Sequence, residues 1–112
     1  MRVGWTRRAL ADLAEIRSFI AQDRPLTAGR VARRIRSRAR LIAEHPFAGR
    51  RVEDAEDPDV REVIQERYRV VYRVTAVRIE ILRVVDGARL LASDELGERA
   101  ARYGIHGGCA AG

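Results

Sequence analysis

All of the strongly basic side chains in this sequence are arginines. The chain of 112 residues holds 22 arginines and no lysine against 16 acidic residues, which gives a formal charge of +6. A guanidinium offers a rigid fork of donors to phosphate or carboxylate groups, but it keeps its proton near neutral pH. Only His45 and His106 could therefore act as general bases among the basic residues. This composition favours the binding of anions, whether nucleic acid or an acidic protein segment.

The charge is distributed unevenly along the chain. Residues 1–52 hold 13 arginines and 4 acidic residues (net +9), residues 53–67 hold 2 and 7 (net −5), and residues 68–112 hold 7 and 5 (net +2). The acidic stretch 53–59 could chelate a hard cation, but it lacks the Gly-containing spacing of an EF-hand loop. We expect a solvated loop there, with no metal and no cofactor.

Cysteine content and hydropathy limit the class of protein further. Cys109 is the single cysteine, which excludes an internal disulfide and a Cys-based metal cluster. No segment approaches the length of a membrane span, and the N-terminus lacks the apolar core of a signal peptide. We expect a cytoplasmic protein that does not contact membranes.

Two β-rich segments, 68–74 and 79–85, predict an antiparallel hairpin that turns at Ala76 and Val77. This turn would pair Arg73 with Glu80, Val71 with Leu82 and Arg69 with Val84. One face would be apolar and buried except for one arginine, with Tyr68 and Tyr72 as core residues: Tyr68, Val70, Tyr72, Val74, Ile79, Ile81, Arg83 and Val85. The other would be wet or partner-facing: Arg69, Val71, Arg73, Arg78, Glu80, Leu82 and Val84.

Two amphipathic helices precede the hairpin. Thr6 suits the N-cap of a helix that runs from Arg7 to about Gln22, and Thr27 is expected to cap a second helix that ends near Glu44. The second helix has an apolar arc and an opposite arc rich in arginine. Phe47, in the turn at 46–51, is expected to fold back into the core.

Strands are also expected at residues 1–5 and 60–67, which gives the order β-α-α-β-β-β. This order predicts an α+β fold in which a two-helix hairpin packs on a small antiparallel sheet. Residues 1–93 would form the domain. Residues 94–112 would form a short helix and a flexible tail.

Several motifs resemble the RelE/ParE superfamily of toxins from bacterial type II toxin-antitoxin pairs. The resemblance spans about residues 2–91 in the right order. The matching segments are Val3-Gly4-Trp5-Thr6, Ala9-Leu10-Ala11-Asp12-Leu13, His45-Pro46-Phe47-Ala48-Gly49-Arg50, Val60-Arg61-Glu62, Tyr68-Arg69-Val70-Val71-Tyr72-Arg73-Val74 and Ile81-Leu82-Arg83-Val84-Val85-Asp86-Gly87-Ala88-Arg89.

The resemblance implies a toxin that an acidic antitoxin neutralises in a hetero-oligomer. RelE-like members cleave mRNA on the ribosome, whereas ParE-like members poison DNA gyrase. In the RelE pattern, two phosphate-binding arginines fall on Arg69 and Arg89. Of the two lysines expected on the preceding strand, Arg61 stands near the first and Val63 near the second.

RNA cleavage through the ribose 2′-hydroxyl also needs a proton-transfer group. The RelE pattern expects a Tyr, or a His-Tyr pair, soon after the closing arginine, but here residues 90–95 read Leu-Leu-Ala-Ser-Asp-Glu. The conceivable substitutes are Glu62, Glu66, Asp86, Tyr103 and His106. Structural roles compete for the arginines, because Arg73 can pair with Glu80, and Arg69 with Glu62 or Glu66.

The missing proton-transfer group favours the ParE-like interpretation, a toxin that binds gyrase. A ribosome-dependent mRNA endoribonuclease using Arg61, Arg69 and Arg89 is the alternative, and a non-toxic partner of a DNA-bound regulator is a third hypothesis. We expect the target to be bound through Arg69, Arg73, Arg83 and Arg89. We expect the antitoxin to be bound through Trp5, Arg30, Arg34, Leu41, Val71 and Leu82.

Overall fold

The computed structural model describes residues 1–53 and 55–87, which form two helices and a five-stranded sheet. The elements are β1 (Arg2–Trp5), α1 (Arg7–Ala21), α2 (Pro25–Glu44), β2 (Arg50–Arg51), β3 (Val60–Gln65), β4 (Tyr68–Val74) and β5 (Arg78–Asp86). The strand order is β1-β5-β4-β3-β2. The C-terminal helix and tail expected at 94–112 lie outside the described residues.

The α+β class and the helix hairpin on the sheet are confirmed, but the sheet is mixed. Strand β1 is the outer neighbour of β5 and runs parallel to it, whereas the other neighbours are antiparallel. Strand β2, with only two residues, was not expected, because so short a segment has no detectable alternation. Among the described residues, no helix is both long and apolar enough to cross a membrane.

The main core lies between the helices and one face of the sheet, which we call the helix face. Tyr72, Ile79 and Ile81 are fully buried there against Ile35 of α2. Tyr68 is also buried in this cluster, so the prediction of two core tyrosines is confirmed. Burial of this apolar surface is the main source of stability in a domain of this size.

The two helix starts differ from each other in how well the sequence predicted them. Thr6 is the N-cap of α1, as expected, and its hydroxyl accepts a hydrogen bond from the Ala9 N–H at 3.0 Å. The prediction that Thr27 caps α2 is wrong, because α2 begins at Pro25. Proline suits the first position of a helix, where its fixed φ is helical and its missing N–H has no partner to lose.

The hairpin between β4 and β5 turns at Ala76 and Val77, as predicted. The Thr75 hydroxyl donates to the Arg78 carbonyl at 2.9 Å and accepts from the Arg78 N–H at 3.1 Å. These bonds close a turn that has neither glycine nor asparagine. The pairing of Arg73 with Glu80 is also confirmed.

Beyond Tyr72 the predicted pairing is wrong by one residue, because β5 contains an irregularity of the β-bulge type. Val71 pairs with Arg83 instead of Leu82, and Arg69 pairs with Val85. The extra residue exchanges two valines between the faces. Val84 joins the core on the helix face, whereas Val85 joins the opposite face.

The opposite face of the sheet, which we call the open face, has an apolar centre. Val71 and Leu82 are fully buried there beside Val60 and Val85, and Val52 covers one side. The wet surface expected here is therefore limited to the surroundings of this cluster. Phe47 was expected in the core, but 64% of it is exposed, so that prediction is wrong.

Candidate functional site

Arg61 and Arg69, the two described arginines of the ribonuclease pattern, lie on opposite faces of the sheet. Arg61 pairs with Tyr72 across β3 and β4, and its guanidinium turns to the Gly49 carbonyl, with Nη1 to O at 2.8 Å. Its Cζ is also 5.1 Å from the ring centre of Phe47. Arg69 instead donates from Nε to Glu62 Oε1 at 2.8 Å. Because side chains alternate along β3, Arg61 and Glu62 face opposite sides.

Glu62 organises the charged part of the open face. Its carboxylate is 5% exposed, and it accepts hydrogen bonds from Arg69 on one oxygen and from Arg50 on the other, at 2.8 and 2.7 Å. The pairing of Arg69 with Glu62 was one of two that the sequence allowed. The contribution of Arg50 was missed, because it depends on strand β2.

Arg73 is similarly engaged. It donates from Nη1 to Glu80 at 3.0 Å, as the sequence predicted, and from Nε to Asp57 at 2.9 Å. Asp57 belongs to the acidic loop, so part of that loop compensates an arginine of the sheet. The charges of both Arg69 and Arg73 are therefore already partnered in this structure, with 12% of each side chain exposed.

Arg83 is buried and reaches helix α1. Its guanidinium donates to both carboxylate oxygens of Asp12, from Nε at 2.7 Å and from Nη2 at 3.0 Å. The same carboxylate accepts the Val84 N–H at 2.9 Å. Only 5% of the Arg83 side chain is exposed. Arg89, the fourth arginine expected to bind the target, lies outside the described residues.

The carboxylates considered as proton acceptors are engaged by arginines. Besides Glu62, Asp86 accepts from Arg67, and Glu66 accepts from Arg34 at 2.8 Å. The hydrogen bond from Arg34 lowers the pKa of Glu66 below its ordinary value, which makes it a weaker base. Tyr103 and His106, the other two candidates, lie outside the described residues.

The Tyr72 hydroxyl joins the sheet to the loop that follows α2. It donates to the Pro46 carbonyl at 2.8 Å and accepts the Gly49 N–H at 3.1 Å. Burial is the main cause that raises the pKa of Tyr72. Gly49 is needed for this contact, because a Cβ there would lie 2.5 Å from the Tyr72 hydroxyl and 2.6 Å from the Glu62 carbonyl oxygen.

We expect Gly49→Ala to lower the free energy of unfolding by about 2 kcal/mol, the usual range for overpacking with a disturbed hydrogen bond. Urea unfolding followed by circular dichroism measures this change. Gly29→Ala is the matched control, because a Cβ there meets only the Arg33 guanidinium at 3.4 Å on the surface of α2. Alanine is a better helix former than glycine, so the control should be neutral or stabilising. Equal effects of the two substitutions would contradict this account.

The residues expected to bind an antitoxin fall into two groups. Trp5, Val71 and Leu82 are buried, with 3%, 0% and 1% of each residue exposed. The remaining residues, by contrast, line an open groove of about 480 Å³ along α2. This groove is formed by Arg30, Arg33, Arg34, Ser37, Arg38, Leu41 and Gln65.

A second groove, of about 350 Å³, was not anticipated from the sequence. It lies between α1 and the ends of β4 and β5, and Phe19, with 69% of its surface exposed, is on its border. The sequence signal for this groove is Phe19, an aromatic residue that falls outside the apolar stripe of α1. An isolated exposed aromatic residue is nevertheless common on protein surfaces.

Two helices on one face of a small mixed sheet, with arginines on both the sheet and α2, define a basic α+β domain. A family model described as "ParE toxin of type II toxin-antitoxin system, parDE" matches residues 3–91. The chain therefore belongs to the ParE/RelE superfamily of type II toxin-antitoxin toxins.

Curated relatives and a solved structure agree with this assignment. The chain is 40% identical over 90 residues to "Toxin RelE2" of Caulobacter vibrioides, covering 80% of this chain and 98% of the relative. It is 35% identical over 86 residues to "Putative toxin Y4kP" of Sinorhizobium fredii, covering 75% and 85%. The solved structure "Chromosomal ParDE TA system from P. aeruginosa" superposes with a TM-score of 0.65 at 28% identity, covering 77% of this chain and 95% of that one.

Proposed function

We propose that this toxin stops growth by binding DNA gyrase and that it has no ribonuclease activity of its own. The observation that carries the proposal is the position of Arg61 and Arg69 on opposite faces of the sheet. Cleavage of RNA requires cations that converge on one phosphate, together with groups that move protons. A toxin that acts by binding needs only an accessible complementary surface.

The compensation of Arg69 supports the same proposal. A phosphate that approached this guanidinium would compete with Glu62, a carboxylate that is already desolvated and held at 2.8 Å. Binding of an RNA phosphate at Arg69 would therefore have to break the pair of Arg69 with Glu62. We place the contact with gyrase on the exposed surface around Arg69 and Arg73, which keep their carboxylate partners, and we assign Arg89 to it from the sequence alone. Arg83 was also expected there, but it is buried against Asp12 and is not part of this contact.

An acidic antitoxin is the second part of the proposal. The superposed P. aeruginosa structure is of a toxin-antitoxin system, which supports such a partner for this chain. On the described surface, Arg30, Arg34 and Leu41 offer an acidic amphipathic segment two cations and an apolar contact in one groove. Trp5, Val71 and Leu82 stay part of the sequence-based prediction only, because at most 3% of each residue is exposed in this structure.

The proposal is tested by supercoiling of relaxed plasmid with purified gyrase. We expect micromolar toxin to inhibit supercoiling, and toxin preincubated with its antitoxin to be inactive. The control is Arg2→Gln, which changes an exposed arginine of the outer strand β1 that is not part of the proposed contact and should leave the inhibition unchanged. Full supercoiling at micromolar toxin would contradict the proposal.

The ribonuclease alternative rests on one observation, the name RelE2 of the relative that is 40% identical. This alternative predicts new mRNA ends on translating ribosomes after the toxin is induced. Changing Arg69 and Arg89 to alanine should then abolish both the new ends and the growth arrest. If these variants leave arrest and mRNA ends unchanged, the alternative fails.

A further inference from the structure

Helix α2 carries two rows of arginines on its exposed side. The first row is Arg30, Arg34 and Arg38, and the second row is Arg33, Arg36 and Arg40. At about 100° per residue, the centres of the two rows lie about 130° apart around the helix axis. Each row extends about 10–12 Å along the axis. The opposite side of α2 is buried against α1 and the sheet, so the helix is held in place and the two rows flank its exposed side.

The charges of these rows are poorly compensated. Within residues 1–53 and 55–87, only Arg34 of the six makes an ion pair, with Glu66 at 2.8 Å. Arg40 contacts the Ser37 hydroxyl at 3.2 Å, and no acidic residue occurs in α2 before Glu44. Like charges three or four residues apart repel each other along a helix. A polyanion on this side would remove that repulsion.

The antitoxin proposed above accounts for only part of this surface. A single acidic segment along Arg30, Arg34 and Leu41 covers the first row and leaves the second row without a partner. A protein helix that covered both rows would also need a continuous apolar stripe between them. Between the rows, however, the exposed apolar residues are Leu26 and Leu41, which are separated by about 22 Å with Ser37 between them. Two parallel lines of cations with a polar centre match two parallel lines of anions.

We propose that α2 of the free toxin binds along the major groove of duplex DNA, with each arginine row facing one phosphate backbone. The major groove of B-form DNA is about 12 Å wide and admits an α-helix, whose diameter with side chains is about 10–12 Å. Arginine is well suited to phosphate because its fork of donors can bind two oxygens together. The contact is independent of base sequence and does not depend on gyrase as the target.

The same geometry distinguishes DNA from RNA. The major groove of an A-form RNA duplex is deep and too narrow for side chains to read. Two rows that are separated across an inserted helix therefore cannot reach both RNA backbones in the same way. Duplex DNA is the ligand that fits, and an RNA duplex of the same sequence is the appropriate comparison.

The test measures binding of the purified full-length toxin to a labelled 20-base-pair duplex by fluorescence anisotropy at several salt concentrations. With six phosphate contacts, the logarithm of the affinity should fall with the logarithm of salt with a slope of about −5. The triple substitutions R30Q/R34Q/R38Q and R33Q/R36Q/R40Q should each reduce the slope to about −3 and lower the affinity at least about tenfold. The RNA duplex should bind at least about tenfold more weakly than the DNA duplex.

The matched control is R2Q/R51Q/R78Q, which removes the same charge from positions on β1, β2 and β5 that are at least partly exposed. Its affinity for DNA should stay within about threefold of the unmodified toxin. Glutamine is a good helix former and the six positions of the rows are at least partly exposed, so the row variants should keep their circular dichroism spectrum. The proposal is overturned if the control weakens binding as much as the row variants, or if the row variants bind DNA unchanged. It is also overturned if the row variants no longer bind the antitoxin but still bind DNA, or if the RNA duplex binds as tightly as the DNA duplex.

Discussion

Replacing Asp12 with alanine is expected to lower the free energy of unfolding by about 3 kcal/mol, the lower end for a buried pair that loses one partner. Asp12 accepts two hydrogen bonds from Arg83 and one from the Val84 N–H. Its removal deletes both hydrogen bonds from the buried Arg83 guanidinium to this carboxylate and frees a backbone donor beside the bulge in β5. The measurement is urea unfolding followed by circular dichroism and by the fluorescence of Trp5.

The control for this prediction is Asp23→Ala. Asp23 is exposed between the two helices, and substitutions at such positions usually change stability by less than about 0.5 kcal/mol. The fluorescence of Trp5 reports on this region, because β1 pairs with β5 next to the bulge and Trp5 lies opposite Ile81. If Asp12→Ala changed stability no more than Asp23→Ala does, the carboxylate would not be what holds the bulge.

Replacing Glu62 with alanine is the second large change and is expected to lower the free energy of unfolding by about 2 kcal/mol, because a buried charged group loses one of its hydrogen-bond partners. The carboxylate is 5% exposed and compensates Arg69, whose side chain is 12% exposed. The loss is smaller than for Asp12 because Arg50, the other partner of Glu62, is 75% exposed and water can replace its bond. Equilibrium unfolding in urea at neutral pH measures it.

Two further variants make this second prediction specific. Arg50→Ala should change stability by less than about 0.5 kcal/mol, because it removes an exposed partner of the same carboxylate. The double variant Glu62→Ala with Arg69→Met should recover part of the lost stability, because the buried charge that Glu62 compensated is then removed as well. A double variant that is less stable than Glu62→Ala alone would show that the charge of Arg69 is not the cause.

The regular part of the fold could be predicted because its signals are local. The hydrophobic period of each helix, the N-cap at Thr6 and the turn at Ala76 and Val77 depend on residues close together in sequence. The pairing of Arg73 with Glu80 follows directly from that turn. The family resemblance of residues 2–91 also rests on such local motifs, and the match of the family model to residues 3–91 confirms it.

The registers of β4 with its two neighbours could not be predicted, because neither has a clear local signal in the sequence. The bulge in β5 is fixed by Asp12, which is 71 residues from Arg83 in the sequence. The turn that sets the register between β3 and β4 contains Glu66 at a φ of 58°, where glycine or asparagine is more usual. Without that register, the sequence cannot show that Arg61 and Arg69 face opposite sides.

This separation changes how the arginines of the sheet are interpreted. As a sequence pattern, Arg61, Arg69 and Arg89 resemble a set that binds one phosphate. In the structure, Arg61 holds the loop at Gly49 and Arg69 holds Glu62, so each has a structural role on its own face. The absence of a proton-transfer group in the sequence pattern and the separation of these arginines both favour a toxin that acts by binding.

The most direct test of gyrase as the target is to induce the toxin in cells that carry a reporter plasmid, and to measure plasmid supercoiling and mRNA 5′ ends in the same culture. Co-expression of the antitoxin gives the baseline for both measurements. We predict that the plasmid loses negative supercoiling while the pattern of mRNA ends stays as in the baseline. A plasmid that remains fully supercoiled, together with new mRNA ends on translating ribosomes, would contradict the account.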